Sequence, residues 1–77
     1  REDAILVASA LRGRGGQTAA GLRKLGTPDR TYRIMYDNHY GWFDRLGDGL
    51  YRLTETGEQA LEQHPKLAAD CQSRLES

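Results

Sequence analysis

The feature that most constrains this chain is the segment GWFDRLGDGLYRLTETG, residues 41–57. Two short stretches rich in aromatic and large apolar residues, Trp42–Leu46 and Leu50–Leu53, flank Gly47-Asp48-Gly49. Asp-Gly between such stretches is a strong short-range signal for a β-hairpin, because tight hairpin turns need residues that tolerate positive φ. Alternation places Trp42, Asp44 and Leu46 on one face of this hairpin and Phe43 and Arg45 on the other. One face has to cover the rest of the chain, and the other meets solvent or a ligand.

Upstream of Gly41 the pattern is helical. Residues 2–12 place Ala4, Val7, Ala8 and Leu11 on one stripe, with Ile5 at its margin. Glu2 and Asp3 suit the positive end of the helix dipole, and Gly13 ends the helix. A second helix is predicted from Thr18, which can cap it, to Leu25. Gly21 within it costs roughly 1 kcal/mol relative to alanine, and close packing against a neighbouring helix would explain its use. Gly26 ends that helix. Thr27 then caps a third, with Pro28 at its first position, running to Asn38. Two helices joined so tightly cross at a large angle, as in a helix-turn-helix. Beyond the hairpin, Thr54 or Thr56 caps a fourth helix, Thr56 with Gln59 at capping-box spacing. Pro65 opens a fifth, with Leu67, Ala68, Cys71 and Leu75 in register.

The expected fold is therefore mainly α with a small β-hairpin: three helices, a two-stranded wing and C-terminal helices, all in one domain over residues 1–77. Three helices followed by such a wing is the winged helix-turn-helix plan, and residues 41–57 resemble the wing and following helix start of many such domains. With YDNHYGWF, residues 36–43, the resemblance narrows to the C-terminal domain of an uncharacterised bacterial family. Proteins of that family carry a predicted PD-(D/E)XK nuclease-like domain upstream. The similarity spans residues 4–61 and extends loosely to winged domains attached to restriction-type endonucleases. It implies a DNA-binding accessory domain, with double-stranded DNA as partner, the third helix in the major groove and the wing on the backbone or minor groove. An upstream nuclease-like domain in the same chain or a homodimer partner are further expected partners. The chain opens at Arg1 without a methionine and reads as a piece of a longer protein.

Charge supports a nucleic-acid role only locally. The net charge is zero, but residues 12–52 carry eight basic and four acidic side chains, a local excess of +4, and residues 53–77 are acidic by three. Arg30 and Arg33 of the third helix are the candidates for phosphates or guanine edges. Two registers of that helix are open. In one, Tyr32, Met35, Tyr36 and His39 face the core and Ile34 is exposed, where it could meet a thymine methyl. In the other, Ile34 and Met35 are buried and Tyr32 is half exposed. Arg45 and Arg52 are the wing candidates, Thr18 could present backbone N–H groups to a phosphate, and Arg23 adds to the basic surface. Trp42 and Phe43 are expected in the core, with stacking on an unpaired base as the alternative.

A competing function is a protein-interaction or dimerisation module with no nucleic-acid role, since fold does not settle function. A continuous positive face joining Arg30, Arg33 and Arg52 would favour DNA; alternation of sign would favour a protein partner.

Chemistry of other kinds has little support. Asp37, Asp44 and Asp48 do not form an acidic pair followed by a Glu-x-Lys unit, so no catalytic site, and no enzyme, is expected in the chain itself. His39 and His64 have no second ligand at metal-binding spacing, so neither metal nor cofactor is expected. The lone Cys71 reads as a small buried hydrophobe in a reducing compartment, which together with the absence of any apolar run of membrane-spanning length places the chain in the cytoplasm, away from membranes.

Overall fold

A computed structural model describes residues 2–75. Its first helix, α1 (Glu2–Leu11), is where the core is organised. Ile5, Val7, Ala8 and Ala10 have no exposed surface at all, and Ala4, Ser9 and Leu11 are also buried. The apolar stripe read from the sequence is thus too narrow: Ile5, placed at its margin, is fully enclosed. Burial on nearly all sides follows from contact with every other helix, since α1 packs against α2 (Ala19–Leu25), α3 (Thr31–Asp37), α4 (Glu55–Gln63) and α5 (Pro65–Arg74).

Between the helices lies a small antiparallel sheet of three strands, β1 (Gln17–Thr18), β2 (Phe43–Gly47) and β3 (Leu50–Leu53), in the order β1-β3-β2. The described residues are therefore mainly helical, with five helices and this sheet. The hairpin lies where the Asp-Gly signal puts it. Asp48 and Gly49 both adopt positive φ, 55° and 78°, and link Gly47 directly to Leu50 across the ladder. Two central residues with positive φ are the geometry that matches the twist of adjoining strands. The expected alternation of faces fails in two places. Trp42 precedes the strand, so it and Phe43 are both buried, at 7% and 4% exposure. Leu46 falls at a register shift between Arg45↔Tyr51 and Gly47↔Leu50, and this bulge turns it outward. The third strand, β1, pairs Gln17 with Tyr51 and Thr18 with Leu50, and nothing in the sequence pattern announces it.

Thr18 caps α2 as expected, its hydroxyl accepting from the Gly21 N–H at 3.0 Å. Gly21 does not serve packing against another helix. A Cβ there would meet the Thr18 hydroxyl and the Gln17 side chain, so its smallness serves the cap. Gly26 closes α2 in the left-handed conformation at φ 119°. The expected cap of α3 at Thr27 is not formed: Thr27 is buried, its hydroxyl accepts from Thr31 Oγ1, and the Thr31 N–H is taken by the Pro28 carbonyl at 3.0 Å. Residues 28–31 make a turn and α3 begins only at Thr31.

The start of α4 is a dense node. Thr54, not Thr56, is the cap. Its hydroxyl accepts from the Gly57 N–H at 3.1 Å and donates to the Gly41 carbonyl at 2.8 Å, while its own N–H donates to the Trp42 carbonyl at 2.8 Å. Together these bonds lock the hairpin entrance, the backbone beside the indole and the helix start to one residue. Gly57 is required by this packing, because a Cβ there would lie 2.8 Å from the Trp42 carbonyl oxygen and 2.6 Å from a Leu53 methyl.

Core burial and the node each predict a loss of stability. Trp42→Ala should cost about 3 kcal/mol or more, and in a domain of this size that approaches the whole stability. Thermal melting followed by circular dichroism checks it, and an unchanged midpoint would contradict the burial of the indole. Gly57→Ala should cost about 1–3 kcal/mol through overpacking against a carbonyl that cannot move away. Urea unfolding that shows equal or greater stability for this variant would mean that the node yields easily.

Candidate functional site

The face of α3 is set by which of its side chains reach the core. Thr31 and Met35, one turn apart, are buried at 0% and 1% exposure, and Ile34 packs half-buried beside them. This resolves the two registers in favour of the second. Tyr32 and Tyr36, placed on the core side in the first register, stand outward at 49% and 55% exposure, while Ile34, exposed in that register, is half-buried. A threonine pair, Thr27 and Thr31, takes the buried positions because each hydroxyl finds a partner there. The missed signal is the i, i+4 pairing of Thr31 with Met35, which competes with that of Tyr32 and Tyr36 and fits a tight core better.

α3 is held against the hairpin by Asn38. This residue ends the helix in the left-handed conformation (φ 48°), which asparagine tolerates better than most residues. Its side chain makes both bonds that a neighbouring strand would make to Phe43. Nδ2 donates to the Phe43 carbonyl at 2.8 Å, and the Phe43 N–H donates to Oδ1 at 3.0 Å. The angle between the outward face of α3 and strand β2 depends on this clamp.

The arginines expected to act are exposed but matched with acids. Arg30 donates to the Asp3 carboxylate of α1, Arg33 to Asp37 one turn on at 3.2 Å, and Arg52 to Asp44 across the hairpin at 2.9 Å. Arg30, Arg33 and Ile34 share one open cleft of about 240 Å³ with Asp3, Asp37, His39, Tyr40 and Phe43. Arg52 lines a different cleft, with Leu11, Gly16, Leu46 and Glu58. The first lies at the Asp3–Ala4 end of α1 and the second at its Leu11 end, about 10 Å away along the helix axis. A continuous positive face joining Arg30, Arg33 and Arg52 is not formed; the signs alternate. Arg45, on β2 opposite Tyr51, and Arg23, in the last turn of α2, are exposed, with no acidic partner among the described residues. The Thr18 hydroxyl is committed to its cap.

Cys71 is fully buried, and burial pushes its thiol above the usual range, with Arg74 acting in the opposite direction. A nucleophilic thiol needs the reverse shift. Among the described residues no group of three or more His, Cys, Asp or Glu side chains could hold a metal ion, and no helix is long and apolar enough to cross a membrane.

Residues 1–60 match the family model described as "Putative PD-(D/E)XK phosphodiesterase (DUF2161)". The chain belongs to this family. Searches among curated proteins and among solved structures give no match. Membership of DUF2161 corrects the expectation of a protein that is no enzyme, since the family is described as one of phosphodiesterases. The motif in the family's description is not found within the 77 residues. Their two lysines, Lys24 and Lys66, have Leu22 and His64 two positions earlier where an Asp or Glu would be needed. The family match ends at residue 60, so α5 lies outside it, although α5 packs on α1 and buries Ala68 and Cys71.

Asn38→Ala should cost about 2–3 kcal/mol, from two broken hydrogen bonds and a left-handed backbone that alanine adopts poorly. Asn38→Gly, which keeps the backbone freedom, should recover part of that loss. Urea midpoints of the two variants measure the difference, and a fully stable Asn38→Ala would mean that α3 is positioned by something other than the clamp.

Proposed function

We propose that this chain is a winged helix-turn-helix part of a PD-(D/E)XK phosphodiesterase and that it holds nucleic acid for that enzyme, with α3 and the β2–β3 hairpin as the contacting elements. The observation that carries the reading is the family match, because a phosphodiesterase has to bind a phosphodiester and these residues lack the motif that would cleave one. Three helices followed by a hairpin, with an outward α3 carrying Arg33, supply a surface suited to the task. The ion pairs do not oppose it strongly. Exposed pairs such as Arg33–Asp37 contribute about 0–1 kcal/mol, so a phosphate can displace the carboxylate at small cost.

A second reading, a docking module for a protein partner, is favoured by the alternation of sign around Arg30, Arg33 and Arg52. The two readings separate by salt dependence. Under the nucleic-acid reading, labelled duplex DNA binds weakly, with a dissociation constant of about 10⁻⁴ to 10⁻⁶ M at physiological salt. Replacing both Arg30 and Arg33 by alanine should make the dependence of log affinity on log salt shallower, by about 0.9 for every phosphate that is no longer neutralised. Absence of binding at low salt, or equal binding by wild type and double variant, would transfer the site to a protein partner.

A further inference from the structure

We propose that the outward face of α3 is a stacking platform for unpaired bases, built from Tyr32 and Tyr36, with Arg33 holding the adjoining phosphate; this rests on the nucleic-acid reading above and narrows its substrate to single-stranded or frayed nucleic acid. The largest ring systems of the hairpin, Trp42 and Phe43, are inside the core and cannot stack on a base. The rings that are available are tyrosines. Among the described residues the exposed large apolar side chains are Tyr32, Tyr36, Tyr40 and Leu46. Tyr32 and Tyr36 lie one turn apart on the same face, with ring centroids 5.7 Å apart and planes at 24°. Each ring leans on the other, so neither has to be ordered when a ligand arrives. About half of each residue remains open to solvent.

Arg33 follows Tyr32 by 100° around the helix, is exposed, and binds the Asp37 carboxylate in the cleft that also holds Arg30. A π-face beside a guanidinium that can exchange its partner is the pair of groups that recognises a base with its phosphate: stacking is sequence-tolerant, and the cation tracks the backbone. Arg33 and Asp37 line the cleft that also holds Arg30, Tyr32 and Tyr36 stand outside it, and the exposed aliphatic Leu46 lies in the cleft at the far end of α1.

The test compares a labelled oligothymidine with a blunt duplex of equal length, using the 77-residue chain and its variants. Wild type should bind the oligothymidine more tightly than the duplex. Tyr32→Ala/Tyr36→Ala should weaken oligothymidine binding by about tenfold to a hundredfold and duplex binding by much less, while Tyr32→Phe/Tyr36→Phe, which keeps the rings, should bind as wild type does. Circular dichroism checks that the fold persists. Should the alanine pair loosen it, Tyr32→Leu/Tyr36→Leu decides, since leucine keeps apolar contact and helix propensity but has no ring. If the duplex binds and the tyrosine variants bind oligothymidine normally, or lose both ligands equally, the platform is wrong and the nucleic-acid reading stands. If neither probe binds any form of the chain, both fall together.

Discussion

Enclosure of α1 is the constraint on which the other elements depend. A ten-residue helix with seven buried positions has to be surrounded, and four further helices do so. The composition of α1 makes the approach possible: Ala4, Ala8, Ser9 and Ala10 are small, so neighbouring elements come close, while Ile5, Val7 and Leu11 fill the space between them. Burying apolar area contributes about 25 cal/mol per Å², so enclosing this helix adds to the stability of a chain of modest apolar content. One position runs against that logic. The Ser9 hydroxyl is buried without a hydrogen-bond partner among the described residues, at a cost of about 1–3 kcal/mol. Because α3 packs on α1, the outward direction of Tyr32, Arg33 and Tyr36 is a consequence of how α1 is covered.

Much of this arrangement is legible in the chain itself where a single residue has a single local job. Gly26 and Pro65 mark boundaries, Thr18 marks a cap, and Asp48-Gly49 marks a turn, because each requirement is a matter of one backbone angle or one hydrogen bond. What is not legible depends on competition between distant groups. Thr27-Pro28 has the form of a helix start, yet Thr31 draws the Thr27 hydroxyl inward, and the helix begins at Thr31 instead. Thr54 and Thr56 are equal candidates by local pattern, and the distant Gly41 and Trp42 carbonyls select Thr54. Strand β1 is two residues long, and one of them is also the cap of α2, so it leaves no periodicity to detect. The candidate site is the least legible part. Four apolar or amphipathic residues, Tyr32, Ile34, Met35 and Tyr36, compete for a core that accepts fully only Met35, and a helical wheel cannot rank them.

The pairing of arginines with acids also has a single physical origin. A chain with equal numbers of acidic and basic residues, much of it surface, brings opposite charges together wherever spacing permits: one turn apart for Arg33 and Asp37, across the ladder for Arg52 and Asp44, between helices for Arg30 and Asp3. Such pairs are screened by salt and contribute little to stability. Under the nucleic-acid reading proposed above, a phosphate would replace a carboxylate at such a pair, and discrimination would fall to uncharged groups such as the two tyrosine rings of α3.

Residues 1–60 match a phosphodiesterase family model, yet neither lysine of the chain has the Asp or Glu two positions earlier that the motif in the family's description requires. What the structure does show is how α3 is tied down: Asn38 at its end makes two hydrogen bonds to one residue of the hairpin, Phe43, whose ring is itself anchored in the core, so the direction of α3 follows the core and not its own surface residues.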